Sequence, residues 1–475
     1  MSELDITGVG GLLGVSRPRV WQLRKKPDFP EPDGVDSKGR EYWYEHTILR
    51  WAASDGRLAD KAPALFRPVS GPAAQYFGVE AVRGGMVLKW DTAVGLVAVF
   101  YPGPGSMAGD RHRWPTPASL GADTRVVVLG TEGPWGPELV AVDAAFPDRE
   151  YEPDWTDLAK VFGTPAPWWQ PQLRRLADMQ MWKPGARPQA IHPVPETDTS
   201  ALLQLAATAE DGSPVHATLM CLAREIQART DHWVALHMDD VAKWKDGDAI
   251  AIAGVPTAPT AEPEQPSEMI RRDGWLAILA RTDHLAAQCV DVALQNDGGR
   301  DFPFSTLAQF QPDDTGKLLA EFAARLRPTE RTAAFALFSG DMVDQMLTDP
   351  QTGLPAVRSV GGTLRAAVPQ RLPAFAPLAE VTFDHGRQLW IRTDDGKLWL
   401  APEQSGGGYA WGYDGTGPRA LAVLLELLLD DINAAAPDSM RGREPNPGLL
   451  EGTRRRWTSG TTLTRAALEA ARSQP

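Results

Sequence analysis

A chain of 475 residues is too long for one ordinary domain, and two to four domains are expected. Hydrophobic residues at 43% and charged residues at 23% are ordinary for globular protein and exclude disorder along the whole length. The net charge of −13 excludes a chain coated with nucleic acid from end to end, so any DNA contact has to be local.

Two cysteines, Cys221 and Cys289, allow at most one disulfide and no Cys-rich zinc site. Two buried thiols in a reducing compartment are expected. The opening Met-Ser-Glu-Leu-Asp has neither the basic nor the apolar region of a signal peptide. The densest apolar run, Leu421 to Leu429, is far too short to span a bilayer. A cytoplasmic protein with no membrane partner is expected.

The first fifty-odd residues carry the clearest pattern. Thr7 reads as an N-cap, with Val9, Leu12 and Leu13 at helical spacing behind it. Gly14 follows as a left-handed C-cap. Ser16 reads as the cap of a second helix, with Pro18 in its first turn, where a missing N–H costs nothing. Val15, Val20 and Leu23 turn inward, leaving Arg17, Arg19, Gln22, Arg24, Lys25 and Lys26 on the other faces. Residues 16–26 hold five basic side chains and no acidic one. A short helix fits the major groove, where Arg grips guanine and Gln grips adenine, each through two bonds. Lys25 and Lys26, at the far end, suit phosphates. Asp36 to Arg40 then reads as a tight hairpin turn with Lys38 and Arg40 at its tip, opening into Glu41-Tyr42-Trp43. A closing helix is expected from Glu45 to Ala53, with Ile48, Leu49 and Trp51 in its core.

This order of helix, Gly-Val-Ser turn, basic helix, Phe29-Pro30, Gly39-Arg40 hairpin, aromatic pair and Trp-containing helix resembles the MerR-like winged helix. It is most like the excisionase and phage-regulator branch, over residues 4–54. The resemblance implies duplex DNA bound by helix Ser16–Arg24 and by a wing around Lys38–Arg40. The candidate DNA-binding residues are therefore Ser16, Arg17, Arg19, Gln22, Arg24, Lys25, Lys26, Lys38 and Arg40. Gly8, Gly10 and Gly11 stand where that family usually has Glu and Ala, which predicts a short or frayed first helix. A merely solvated basic helix, or a winged helix that binds protein, are the rival readings of the same residues.

Beyond it, residues 58–75 read as a linker. Short apolar runs between 77 and 101 and between 122 and 145 predict an antiparallel sheet. Helix is expected over 153–181, rich in Trp, and over 199–244. Residues 254–268 hold four prolines and no large side chain beyond Val255, and read as a second linker. Helices over 268–297 and 316–348 precede a strand region from Ala379 to Leu400, with turns at Asp384-His385-Gly386 and Asp394-Asp395-Gly396. An apolar helix from Pro418 to Ala436 is followed by a basic tail with Arg441, Arg443, Arg454, Arg455 and Arg456. The fold class is thus multidomain α+β, an N-terminal winged helix-turn-helix followed by mixed antiparallel-sheet and helical domains. Its divisions are 1–57, the linker 58–75, an α+β domain 76–253, the Pro-rich linker 254–268, an α+β domain 269–436 and a helical tail 437–475.

The remaining motifs name no chemistry. Trp411 to Pro418 resembles a W-G-Y-x-G-[ST]-G-P motif of uncharacterised actinobacterial and phage modules, over about residues 380–432, with no implied activity. It has no P-loop lysine, and reads as a strand-to-helix turn with Trp411 and Tyr413 packed beneath. The pentapeptide Ala228–His232 recurs as Ala280–His284, a match more readily ascribed to chance than to a duplicated helical unit. His232 and His237 beside Asp239 and Asp240 lack metal-site spacing. Asp143 follows a strand where a nuclease could hold a metal-binding carboxylate. Arg454, Arg455 and Arg456 either touch phosphate or complement a helix end. No catalytic, cofactor or metal residue is assigned.

The expected function is sequence-specific binding of double-stranded DNA by a regulator or a plasmid or phage maintenance factor. Its large body then mediates homo-oligomerisation or partner binding. The rival is a DNA-processing enzyme (nuclease, recombinase or replication factor), which requires three of Asp143, Asp154, Asp239 and Asp240 around a metal. A phage-defence or counter-defence component is the third reading, and no residue specifically supports it.

Overall fold

The computed structural model describes residues 3–103, 114–133, 136–241, 243–244, 247–259, 264–338, 342–384, 388–404, 408–437 and 443–474. The turn residues His385 and Gly386, the tail residue Arg441 and linker residues 260–263 lie outside them. The structure is α+β with several antiparallel sheets. It divides into one unit of residues 1–196 and 227–262 and a second of 197–226 and 263–475. No helix among the described residues is long and apolar enough to cross a membrane.

The first unit begins with strand β1 (Glu3–Leu4) and helix α1 (Ile6–Leu13). Asp5 caps α1, its carboxylate accepting the Thr7 and Gly8 amides at 2.9 and 2.8 Å. The cap thus lies two residues before the expected Thr7, because a carboxylate beside two free N–H groups is the stronger acceptor. Gly14 ends α1 at φ 64, as its position predicts. The glycines of α1 do not fray it. A side chain at Gly10 would meet the Val15 carbonyl at 2.9 Å and the Val20 methyl at 3.4 Å, so its absence lets α1 approach helix α2 (Arg17–Leu23). Strands β2 (Gly34–Val35) and β3 (Glu41–Tyr44) and helix α3 (Glu45–Ser54) complete the segment, with sheet order β1-β3-β2. Val9, Leu13, Val20, Leu23, Trp43 and Ile48 fill its core, and Phe29 packs edge-on against Trp43 and Trp51.

Six strands follow: β4 (Gln75–Val82), β5 (Gly85–Thr92), β6 (Gly95–Pro102), β7 (Thr124–Gly133), β8 (Gly136–Asp143) and β9 (Glu150–Tyr151). They pair in chain order. All neighbours are antiparallel except β6 and β7, which run parallel, where a wholly antiparallel sheet was expected. The cause is the longer crossover between them, which includes helix α4 (Pro117–Leu120). Helix α5 (Trp155–Phe162) packs Phe162 flat on Trp90, ring centroids 4.2 Å apart. The Trp-rich stretch is not one helix. Gly163 ends α5 at φ 69, and Pro165, Pro167 and Pro171 forbid its continuation. Ala166–Trp168 becomes a strand paired in parallel with Ile250–Ile252, and Gln189–Ile191 pairs likewise with Gly254–Pro256.

Residues 58–75 are linker-like only in part. Ala62, Ala64, Leu65 and Phe66 are buried in the same core as Leu49 and Ala53 of α3. The Ala64 amide donates to the buried Asp143 carboxylate at 2.7 Å. At the other expected linker, Gly254–Pro256 is a strand, and the division between units falls at 262/263.

The second unit holds helices Ser200–Thr208, Glu268–Leu279 and His284–Asp297 around a core with Trp275, Ile278, Val290 and Phe302. Its five-stranded antiparallel sheet runs Phe304–Phe310, Leu364–Pro369, Pro355–Ser359, Val343–Thr348, Arg327–Pro328. Helix was expected through 348, but only Lys317–Arg325 forms one before Pro328, and Val343–Thr348 is a strand. A four-stranded sheet places Thr461–Thr464 beside Leu378–Phe383. The basic tail is therefore built into the fold: helix Pro447–Arg454 buries Leu449 and Leu450, and helix Arg465–Arg472 buries Leu468. Before both in the chain comes the apolar helix Thr416–Asp430, which ends short of Ala436 where Asp431 and Asn433 form a turn. The repeated pentapeptide takes two conformations. Ala228–His232 lies within helix Pro214–Val241, whereas Ala280–His284 ends one helix and opens the next.

Candidate nucleic-acid interface

Helix α2 is short because Ser16 and Pro18 open it and Arg24 closes it. Ser16 occupies the N-cap position, but its hydroxyl makes no capping bond. With Val20 and Leu23 buried, the opposite face presents Arg17, Arg19, Trp21, Gln22 and Lys25 to solvent. Arg19 donates to the Gln22 side-chain oxygen at 2.8 Å, which aligns the two on one face. Arg17 and Lys25 form no ion pair or hydrogen bond among the described residues through their side chains. Arg17, Pro18, Trp21, Gln22 and Lys25 form one continuous open surface along α2.

Three of the expected contacts, Arg24, Lys26 and Arg40, are ion-paired within the protein. Arg24 pairs with Glu41 of β3 at 2.6 Å, and its guanidinium lies 5.4 Å from the Trp21 ring centre and 5.6 Å from that of Trp43. Lys26 pairs with the buried Asp55 at the end of α3 and lies 5.7 Å from the Trp51 ring. These cations tie α2 to the hairpin and to α3. The Lys26 ammonium and the Arg57 amide hold the Asp55 carboxyl below the usual carboxylate range.

The hairpin is organised by Asp36, which accepts the Lys38 and Arg40 amides at 2.8 and 2.9 Å and pairs with the Arg40 guanidinium. The Arg40 amide first, then its guanidinium and the Lys38 amide, lower the Asp36 pKa. Lys38 stays exposed with no side-chain partner among the described residues. Residues 1–58 contain nine basic and nine acidic side chains, so the positive surface of α2 arises from segregation and not from net charge.

Trp21 was not singled out by sequence reasoning. It is 46% exposed, unusual for so large an apolar ring. The signal was its place directly after the buried Val20 and four residues after Arg17, on the outward face.

No protein-family model, curated protein or solved structure matches this chain.

The carboxylates proposed for an enzyme have separate tasks. Asp143 is fully buried, pairs with Arg125 at 3.0 Å and accepts the Ala64 and Ala145 amides. Asp154 caps α5 and binds Arg50. Asp239 and Asp240 are exposed on helix Pro214–Val241, as are His232 and His237. No group of three or more His, Cys, Asp or Glu side chains among the described residues is placed to hold a metal. Cys221 and Cys289 are unpaired and buried, and burial pushes each thiol up to about 12. In the Trp411–Pro418 segment Trp411 packs edge-on against Phe383, but Tyr413 is 47% exposed and not packed beneath the turn as expected. Of the tail arginines, Arg454 pairs with Asp414 at 2.7 Å, while Arg455 and Arg456 are exposed.

Proposed function

We propose that this chain binds duplex DNA in a sequence-specific way, with residues 4–54 acting as a winged helix-turn-helix of MerR-like type. The observation that carries the reading is the outward face of α2, where Arg17, Arg19, Gln22 and Lys25 stand exposed together. Helix–turn–helix packing and a three-stranded sheet whose hairpin turn exposes Lys38 suit groove insertion with a flanking phosphate contact. In this reading Arg19 and Gln22 exchange their mutual bond for base edges, Arg17, Lys25 and Lys38 meet phosphates, and Arg24 and Lys26 position the helix.

A single short helix reads few base pairs, so a regulator or maintenance factor of this kind acts as a homo-oligomer on repeated half-sites, with the body supplying the contacts between copies or to a partner. The test is a footprint on duplexes selected from a random library, compared with Arg19→Ala/Gln22→Ala, alongside gel filtration. Loss of the footprint in a folded variant supports the reading, and an unchanged footprint refutes it.

A further inference from the structure

The second unit carries a concentration of arginine that the DNA reading does not use. The antiparallel pairing of Phe304–Phe310 with Leu364–Pro369 brings Pro303 beside Gln370, whose amide donates to the Pro303 carbonyl at 3.2 Å. The next residue, Arg371, reaches Glu268 in the first turn of helix Glu268–Leu279 through two bonds of 3.0 and 2.6 Å. One turn along the same helix lie Arg271 and Arg272. Arg271 pairs with Asp301 at 3.3 Å, and Arg300 adjoins Asp301 in the chain. These four arginines and two acids line a cavity of about 50 Å³. That is several times the roughly 10–15 Å³ that one water needs.

Guanidinium groups outnumber carboxylates two to one among the side chains that line this cavity. Its lining holds four guanidinium groups and two carboxylates, while Glu225 and Asp297 act on Asp301 and Asp273 acts on Arg272 from just outside it. Glu268 and Asp301 are engaged by Arg371 and Arg271. Arg272 is partly buried, and neither it nor the exposed Arg300 has a side-chain partner among the described residues. Burial and the Arg371 charge lower the Arg272 pKa, with Asp273 and Glu268 opposing. Arginine nevertheless keeps its charge at neutral pH. A partly desolvated cation beside a like charge is costly unless something anionic joins it. Guanidinium forks match the oxygens of a phosphate group in spacing and plane.

We propose that this cavity is a binding site for a dianionic phosphate monoester, with Arg272 and Arg300 as the ligand-facing residues and Arg271 and Arg371 as the walls. A phosphate monoester offers three terminal oxygens to two guanidinium forks, where a phosphodiester of a nucleic-acid backbone offers two. The site is independent of the proposed DNA-binding face.

The test uses the full chain at constant ionic strength, titrated with inorganic phosphate and with adenosine monophosphate, binding being read by calorimetry and thermal melting. Wild-type protein should bind both probes and melt higher with either at about 10 mM, roughly the limit of weak specific binding. Arg272→Gln and Arg300→Gln should each weaken binding about tenfold or more, a loss of about 1.4 kcal/mol. Arg272→Gln should melt no lower than wild type without phosphate, since it removes the repulsion from Arg371. Arg19→Ala/Lys25→Ala should leave phosphate binding unchanged. Absence of any effect of the two probes on wild type, or wild-type affinity in Arg272→Gln/Arg300→Gln, overturns the proposal. So does a short duplex whose binding depends on Arg272 while both probes are ignored, which assigns the cavity to a nucleic-acid backbone.

Discussion

Arg50 of α3 grips Asp157 of α5 through two bonds of 2.8 Å, and its guanidinium reaches Asp154 as well. The Asp157 side chain is 3% exposed and that of Arg50 33%, so the carboxylate is sealed from water while the guanidinium keeps one edge in it. Arg149 repeats the link by pairing with Glu45 at 2.6 Å. The segment that carries α2 is therefore fastened to the six-stranded sheet's own core and is not a bead on a string.

Removing one partner of a buried pair strands the other charge. Arg50→Ala should destabilise the protein by about 3 kcal/mol. Arg50→Ala/Asp157→Asn should cost less than the sum of the two single substitutions, because the stranded carboxylate is gone. Chemical denaturation of the four proteins checks this. Simple additivity would show that the contact is not coupled. Deleting residues 1–57 is a poorer experiment, since it strips Leu49 and Ala53 from a shared core.

The cations of α2 should separate into two classes. Arg17→Ala and Lys25→Ala should leave stability within about 0.5 kcal/mol and each lower the salt dependence of duplex binding by about one unit of slope. Arg24→Ala should cost about 1 kcal/mol of stability through the lost Glu41 pair and indole contacts. Binding isotherms at several salt concentrations, with melting curves alongside, distinguish them. An equal salt effect with no stability loss at Arg24 would place it on phosphate.

Trp21→Ala should weaken duplex binding by about 1 kcal/mol, the scale of an apolar contact to a base or sugar, with little change in melting temperature. A lower melting temperature with unaltered affinity would make the ring a structural cover for Arg24.

Asp301 offers a pH signature. Burial first, then the charges of Glu225 and Asp297, push it up to about 6 against the opposing Arg271. Between the ordinary value of 3.8 and about 6 the unfolded chain has released a proton that the native state retains. Its contribution to stability is thus present at low pH and declines as pH rises through that window, by up to about 3 kcal/mol. Asp301→Asn should remove this decline and melt above wild type at pH 7. The check is melting temperature against pH for both proteins, and parallel curves would contradict it.

How much of this was legible in the sequence differs by region. Gly14, Ser16 and Pro18 mark helix ends by local chemistry, so α1 and α2 stand where the pattern places them within two residues. The strand Phe304–Phe310 escaped detection because its partner Leu364–Pro369 is distant in the chain, whereas Pro355–Ser359 and Leu364–Pro369 form a local hairpin whose Gly361-Gly362 turn was passed over. Thr461–Thr464 is a strand only because Leu378–Phe383 lies beside it. At the candidate interface, residue type showed which side chains are basic, but not which are spoken for. Glu41 and Asp55 claim Arg24 and Lys26 from 17 and 29 residues away. The arginine cavity was equally hidden, because its walls come from residues about 100 positions apart.

The measurement that bears most directly on the central claim is a nuclease footprint on a duplex selected from a random library by the full chain. Wild-type protein should protect one short site, and Arg19→Ala/Gln22→Ala, with an unchanged melting temperature, should lose that protection. Protection of the same site by the double variant would contradict the assignment of α2 as the element that reads DNA.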